Sequence, residues 1–181
     1  MRWFLVALVT LVFVVPSSAA SVNPKLYALR QADVPKEYYF DKDNSLLRSK
    51  AIVDRASNEE SRLLRRLGFE GAYLAAYLNT SPPKWRFVHS GAFIFRASNG
   101  ARAFVRIARR TGLTPFTRSG HRIQLGDEAW LFEDTAEGGS TVAWRQGGVV
   151  AFVSCTEMAN HRALALTLAR KQQRRIVTLT R

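Results

Sequence analysis

The residues whose types could do chemistry here are three histidines, one cysteine and two short acidic runs, within 181 residues. His89, His121 and His161 have none of the i, i+3 or i, i+4 spacing that puts two imidazoles on one helical face, and none has a cysteine beside it. They read as structural or exposed groups, His89 on a strand, His121 in a loop and His161 at a helix start. Cys155 is alone, which excludes an intramolecular disulfide framework and an all-cysteine metal cluster. It follows the apolar run Val149–Val153 and reads as a buried, inert thiol, because free cysteine is among the most buried residue types. A nucleophilic thiol needs a helix N-terminus or a basic partner, and the helix starting near Asn160 leaves that alternative open. Asp127-Glu128 are paired carboxylates of the type that serves general acid–base chemistry. They follow Gly126 at a strand entrance, where a turn cap and a solvated charge are the simpler reading. Glu133-Asp134-Glu137 is an acidic edge suited to weak cation contact, without the Asp-x-Asp-x-Asp-Gly spacing of a calcium loop. Ser119-Gly120-His121 is a loop tripeptide, and no Gly-x-Ser-x-Gly elbow occurs. Neither a Walker loop nor a dinucleotide glycine fingerprint is present. The expectation is a protein with no catalytic residues, no metal and no cofactor.

Arginine is the residue type in excess. Lys plus Arg number 27 against 14 acids, a formal net charge of +13. Such a charge draws nucleic acid, anionic wall polymers or lipid headgroups. The planar guanidinium suits bidentate contact with phosphate or carboxylate. The arginines fall at helical spacing. Arg62, Arg65 and Arg66 form one set, Arg102, Arg106, Arg109 and Arg110 a second, and Arg170, Lys171, Arg174 and Arg175 a third. The second and third sets are the candidate anion-binding surface; a plainly solvated surface is the competing reading. No RNP-like aromatic motif and no helix-turn-helix spacing marks a dedicated nucleic-acid module.

The elements that must position these groups follow a leader. Met1-Arg2 gives a positive end, Trp3–Val15 is apolar but for Thr10, and Ser18 and Ala20 are the small residues before a cut at Ser21. This is the order of a secretory signal peptide. The apolar run is shorter than the roughly 17–25 residues of a spanning helix, and no cysteine offers itself for lipidation. Residues 1–20 are therefore expected to be cleaved, with 21–181 forming one extracytoplasmic domain. Retention as an anchor is the alternative. Cleavage removes one Arg and no acid, which lowers the charge to +12. Hydrophobic residues at 47 % against 23 % charged exclude a disordered or fibrous chain.

Residues 21–45 show no sustained period and read as an irregular entry segment, pinned by Leu29, Val34, Tyr38, Tyr39 and Phe40. A first helix is expected near 57–67, with Ser57 as N-cap, Glu60 completing a capping box and Gly68 after its end. Phe69–Leu78 and Trp85–Arg96 read as strands, the second central because aromatics occupy both of its faces. A second helix spans about 98–111 and buries Ala101, Phe104, Val105 and Ala108. Thr114–Gly120 is loop. Strands follow over Gln124–Glu133, Thr141–Arg145 and Val149–Cys155, the last two joined by a tight turn at Gly147-Gly148. A third helix runs from about Asn160 to Arg175. Strands joined by hairpins, with few crossovers, give an α+β class: an antiparallel sheet packed by about three helices.

Several motifs resemble those of small exported bacterial, actinobacterial-type domains. They are Leu29-Arg30-Gln31-Ala32-Asp33-Val34-Pro35, the step from Phe93-Ile94-Phe95 into Ala101–Phe104, Gly126-Asp127-Glu128-Ala129 with Val142–Ala151, and the closing helix from Ala163 to Ile176. The set is similar to the extracellular sensor domain of bacterial serine/threonine kinases and related lipoprotein-like domains. The resemblance implies an antiparallel sheet and helices framing a cleft for an unidentified ligand. The chain departs from it in lacking the disulfide cysteines and a kinase domain, and the shared motifs carry no functional residue across. The expected function is a non-catalytic, sensor-like domain at the cell envelope that binds a small ligand or an anionic envelope component. The alternatives are a secreted hydrolase using Asp127-Glu128 or His121, and a basic domain held to anionic polymers by charge.

Overall fold

The computed structural model describes residues 22–81, 85–111, 120–134, 138–156 and 160–180. Seven strands form one antiparallel sheet: β1 (Tyr39–Ser49), β2 (Phe69–Asn79), β3 (Arg86–Phe95), β4 (His121–Ile123), β5 (Glu128–Asp134), β6 (Gly139–Gln146) and β7 (Val149–Thr156). Their order is β1-β2-β3-β7-β6-β5-β4. The β6–β7 hairpin therefore sits in the middle, as the unbroken apolar run Val149–Val153 predicts. Side chains alternate across the sheet, so the central strands feed two cores. On one face Val142, Trp144, Val149, Ala151 and Val153 pack against Ala165, Leu168, Ala169 and Ile176 of α4 (His161–Leu179). On the other, Ala143, Val150, Phe95 and Trp130 pack against Ala101, Val105 and Ala108 of α3 (Ser98–Thr111). Val53 of α1 (Lys50–Arg55) and Leu64 of α2 (Glu59–Arg66) complete that layer. The α+β class is thus met, with four helices in place of about three.

The helices start and stop for local reasons, and one start differs from expectation. Asn58, not Ser57, caps α2, its Oδ1 accepting from Ser61 N at 2.8 Å. Glu60 is then out of place for a capping box and pairs instead with Arg48 at 2.6 Å. Gly68 ends α2 as expected, with φ +74 and its N–H donating to Arg65 O. The six-residue α1 has a single buried side chain, Val53, so it has no period to read. α4 runs one turn beyond Arg175, to Leu179.

The largest correction is β1. Residues 39–49 are not irregular but an eleven-residue edge strand paired with β2. Its side chains are largely exposed on both faces, which removes the alternation that marks a half-buried strand. The Asp41–Asn44 cluster is a bulge within it. Asp41 Oδ1 accepts from the backbone of Asp43 and Asn44, and its Oδ2 from Asn44 Nδ2 at 2.7 Å. A bulge in an edge strand blocks sheet-to-sheet pairing. Leu29, Val34 and Tyr38 are pinned into the core as expected, whereas Tyr39 and Phe40 stay 48 % and 42 % exposed.

Candidate functional site

Asp127 and Glu128 are ion-paired, although the Asp127 side chain stays 36 % exposed. The Gly126 turn, φ +56, brings them to Arg145, whose residue is buried in the middle of the sheet. Arg145 Nη1 donates to Asp127 Oδ2 at 2.6 Å and Nε to Glu128 Oε1 at 2.8 Å. Asp127 Oδ2 also accepts from Gly147 N, and Asp127 N donates to Arg145 O. The expected turn cap is therefore real. The charge is solvated only in part, because both acids also serve as the anionic partners that a buried guanidinium needs. The paired carboxylates spend themselves on locking the β6–β7 turn to the β5 entrance. A cleft of about 380 Å³ runs along Arg122–Glu128, so these two acids line it while bound to Arg145.

The histidines are dispersed. His121 is an exposed residue of β4, where a loop was expected. His161 starts α4 as expected, its Nδ1 2.8 Å from Ser140 Oγ. His89 lies in β3, stacked on Phe87 at 6.0 Å, between Ala76 and Ser154 on the neighbouring strands. Burial pulls its pKa below 6.5, against a smaller upward pull from Asp41. Cys155 is fully buried and burial raises its thiol to about 12, so it is protonated at neutral pH and inert. Of the acidic edge, Glu133 lies 3.7 Å from Arg162; Glu137 falls outside the described residues. No group of three metal-ligating side chains occurs among the described residues.

The eight predicted basic residues divide between opposite faces of the sheet. On α4, Arg170 and Arg174 are exposed, but Lys171 and Arg175 are engaged. Lys171 Nζ donates to Asp33 O, and Arg175 donates to Ala28 O and pairs with Asp33 Oδ2 at 2.7 Å. These two hold the entry segment against the helix. On α3, Arg102, Arg106 and Arg110 are exposed, while Arg109 lies half-buried with its Cζ 4.6 Å from the Trp130 ring centre. The helical wheel explains the difference: Arg109 is one turn on from the buried Val105 and so borders the core.

The α3 set is joined in the same layer by the arginines of α2. Arg65 is consumed, its Nη1 donating to Val53 O and Ala56 O at the end of α1. Arg62 and Arg66 are exposed, and Glu59, Arg62, Arg65 and Arg66 line a cleft of about 510 Å³. Among the described residues, Arg62, Arg66, Arg102 and Arg106 form no ion pair. Both helices pack on the same core, and Gly100 of α3 lies against the residue that follows α2, where any Cβ would fall 2.0 Å from Leu67 O. A glycine after Asn99 is a faint signal of that close approach in the sequence.

No protein-family model matches the chain, and no curated protein matches it. Among solved structures it is similar to the extracellular domain of PknH from Mycobacterium tuberculosis. The identity is 9 %, over 86 % of this chain and 98 % of that one, with a TM-score of 0.48. That neighbour is of the kind the sequence motifs resemble. No helix among the described residues is long and apolar enough to cross a membrane.

Proposed function

We propose that this protein is a non-catalytic binding domain of the cell envelope, and that it engages an anionic ligand through the layer formed by α2 and α3. The observation that carries the reading is the set of four exposed arginines, Arg62, Arg66, Arg102 and Arg106, with no ion pair among the described residues. Against them stand carboxylates that are already committed, Asp127 and Glu128 to Arg145 and Glu60 to Arg48. A surface of unpaired guanidinium groups attracts anions over the screening length of about 8–10 Å at physiological salt. The same commitment weakens the Asp127-Glu128 form of the hydrolase alternative and leaves its His121 form to the assay below. Extracytoplasmic placement and cleavage before Ser21 belong to this proposal and are read from the leader-like residues 1–20.

The test is charge reversal. The protein is titrated with a glycerol-phosphate oligomer at low salt, alongside the Arg62→Glu, Arg66→Glu, Arg102→Glu and Arg106→Glu variant. All four side chains point away from the core, so the variant is expected to keep its melting temperature and lose binding. Binding that survives the reversal, or turnover of generic ester substrates by the wild type, contradicts the reading.

A further inference from the structure

We infer that one point of this layer, the Arg109 guanidinium lying on Trp130 with Arg122 beside it, is a binding site for the phosphodiester groups of a linear polymer. The inference rests on the function proposed above and adds a defined site and a ligand chemistry to it.

Arg109 differs from the other arginines of α3. Its guanidinium is held over the Trp130 ring, 4.6 Å from the centroid. The ring face attracts the cation and fixes its plane. Its Nε is buried and donates to no acceptor. Buried donors are nearly always satisfied, so an orphan beside a cationic cluster points to an absent acceptor. The cluster spans two elements. Arg106 precedes Arg109 by one helical turn and Arg110 follows it. Arg122 of β4 is the register partner of Trp130, and directly opposed residues share a face, so Arg122 stands beside the same ring. Arg122 is exposed and forms no ion pair among the described residues. Glu128, two residues along β5 on that face, is already held by Arg145. A guanidinium with a fixed plane loses little freedom on binding and presents a fork that matches two phosphate oxygens.

Spacing selects a polymer. Arg102 and Arg106 stand four residues apart, about 6 Å along the helix axis at 1.5 Å per residue. A chain with one phosphodiester per repeat of comparable length can meet successive guanidinium groups. Lipid headgroups fit less well. Interfacial helices place an apolar face in the bilayer, and the apolar face of α3 is buried on the sheet. The exposed large apolar side chains, such as Tyr39, Leu46, Ile52 and Trp85, lie on other elements.

The purified chain is titrated with a glycerol-phosphate oligomer at several salt concentrations, as wild type, Arg109→Lys and Arg102→Lys. Both variants keep the net charge. Lysine keeps the charge of Arg109 but loses the planar stack and the fork. Arg109→Lys is expected to weaken binding on the order of tenfold, and Arg102→Lys less than about twofold, with the salt dependence unchanged in both. Vesicles of phosphatidylglycerol, at matched phosphate, are expected to bind more weakly than the oligomer. Trp130→Phe, which keeps a smaller ring in the core, gives an independent check and should weaken binding severalfold at unchanged charge. Equal losses for the two lysine variants, no loss with Trp130→Phe in folded protein, or preference for vesicles overturns the site and leaves the broader anion-binding reading standing. Absence of binding by the wild type at low salt removes both.

Discussion

Arg145 is the residue on which the sequence misleads most. Asp127-Glu128 look like free acids until the hairpin brings in a base from 18 and 17 positions away, a separation no periodicity announces. Removing the guanidinium leaves two half-exposed carboxylates facing each other. Arg145→Met is expected to cost about 2–3 kcal/mol in urea unfolding, below the 3–5 typical of fully buried pairs because Asp127 and Glu128 keep contact with water. At the adjacent turn the two glycines are needed for different reasons. Gly147 has φ +55 and open space around it, so Gly147→Val should cost about 1–2 kcal/mol through backbone strain. At Gly148 a Cβ would fall 2.5 Å from Phe95 O, which accompanies the Phe95 N to Gly148 O bond of 2.8 Å. Gly148→Val should be the worse variant, by melting temperature. The turn was legible from the Gly-Gly pair; the crowding was not, because Phe95 is far away in sequence. His89 carries a pH signature. Burial holds it neutral in the folded state, while the unfolded chain protonates it near 6.5. Below that pH the unfolded state takes up a proton that the folded state does not, so stability falls as pH drops from about 6.5 towards the lowered folded value. A His89→Gln variant should show a flatter profile of melting temperature over that range, and an identical profile would refute the assignment.

At the scale of elements, the entry segment is a strap, and Gln172 of α4 is its buckle. Gln172 Oε1 accepts from Ser90 Oγ, which itself accepts from Leu29 N. Gln172 Nε2 donates to Tyr27 O and Gly91 O. Tyr77 OH donates to Leu29 O at 2.7 Å. Gln172→Leu fills the space but strands several buried polar groups, each costing about 1–3 kcal/mol when unpaired. A loss of roughly 2–4 kcal/mol is expected, with earlier proteolysis within residues 24–38. Helices α3 and α4 were legible because each buries one face and so carries a period, and the β6–β7 hairpin because its apolar runs, buried on both faces, flank a Gly-Gly turn. Edge strand β1 was not, since exposure on both faces erases its alternation. Its apolar pairs at Tyr39-Phe40 and Leu46-Leu47 flank the Asp41 bulge and look like loop composition. α1 was missed because six residues give less than two turns of pattern.

For the whole molecule, the sheet sorts the charge. The basic groups that sequence reading gathers into one surface are divided by the sheet into an α4 set, partly spent on the strap, and an α2–α3 set with exposed, unpaired members. The α+β class was legible, while the placing of α2 and α3 on one core was not, because the close approach of Gly100 to Leu67 joins residues far apart in sequence. The proposed binding is carried by those guanidinium groups, and counterion release measures this directly. The affinity for a glycerol-phosphate oligomer is followed from low to high salt for the wild type and for the Arg62→Glu, Arg66→Glu, Arg102→Glu and Arg106→Glu variant. Each cation that neutralises a phosphate contributes about −0.7 to −0.9 to the slope of log K against log salt. A slope of roughly −3 or steeper is expected for the wild type, and a slope near zero, with affinity lost, for the variant. A wild-type slope near zero, or a variant with the same slope and affinity, would contradict it.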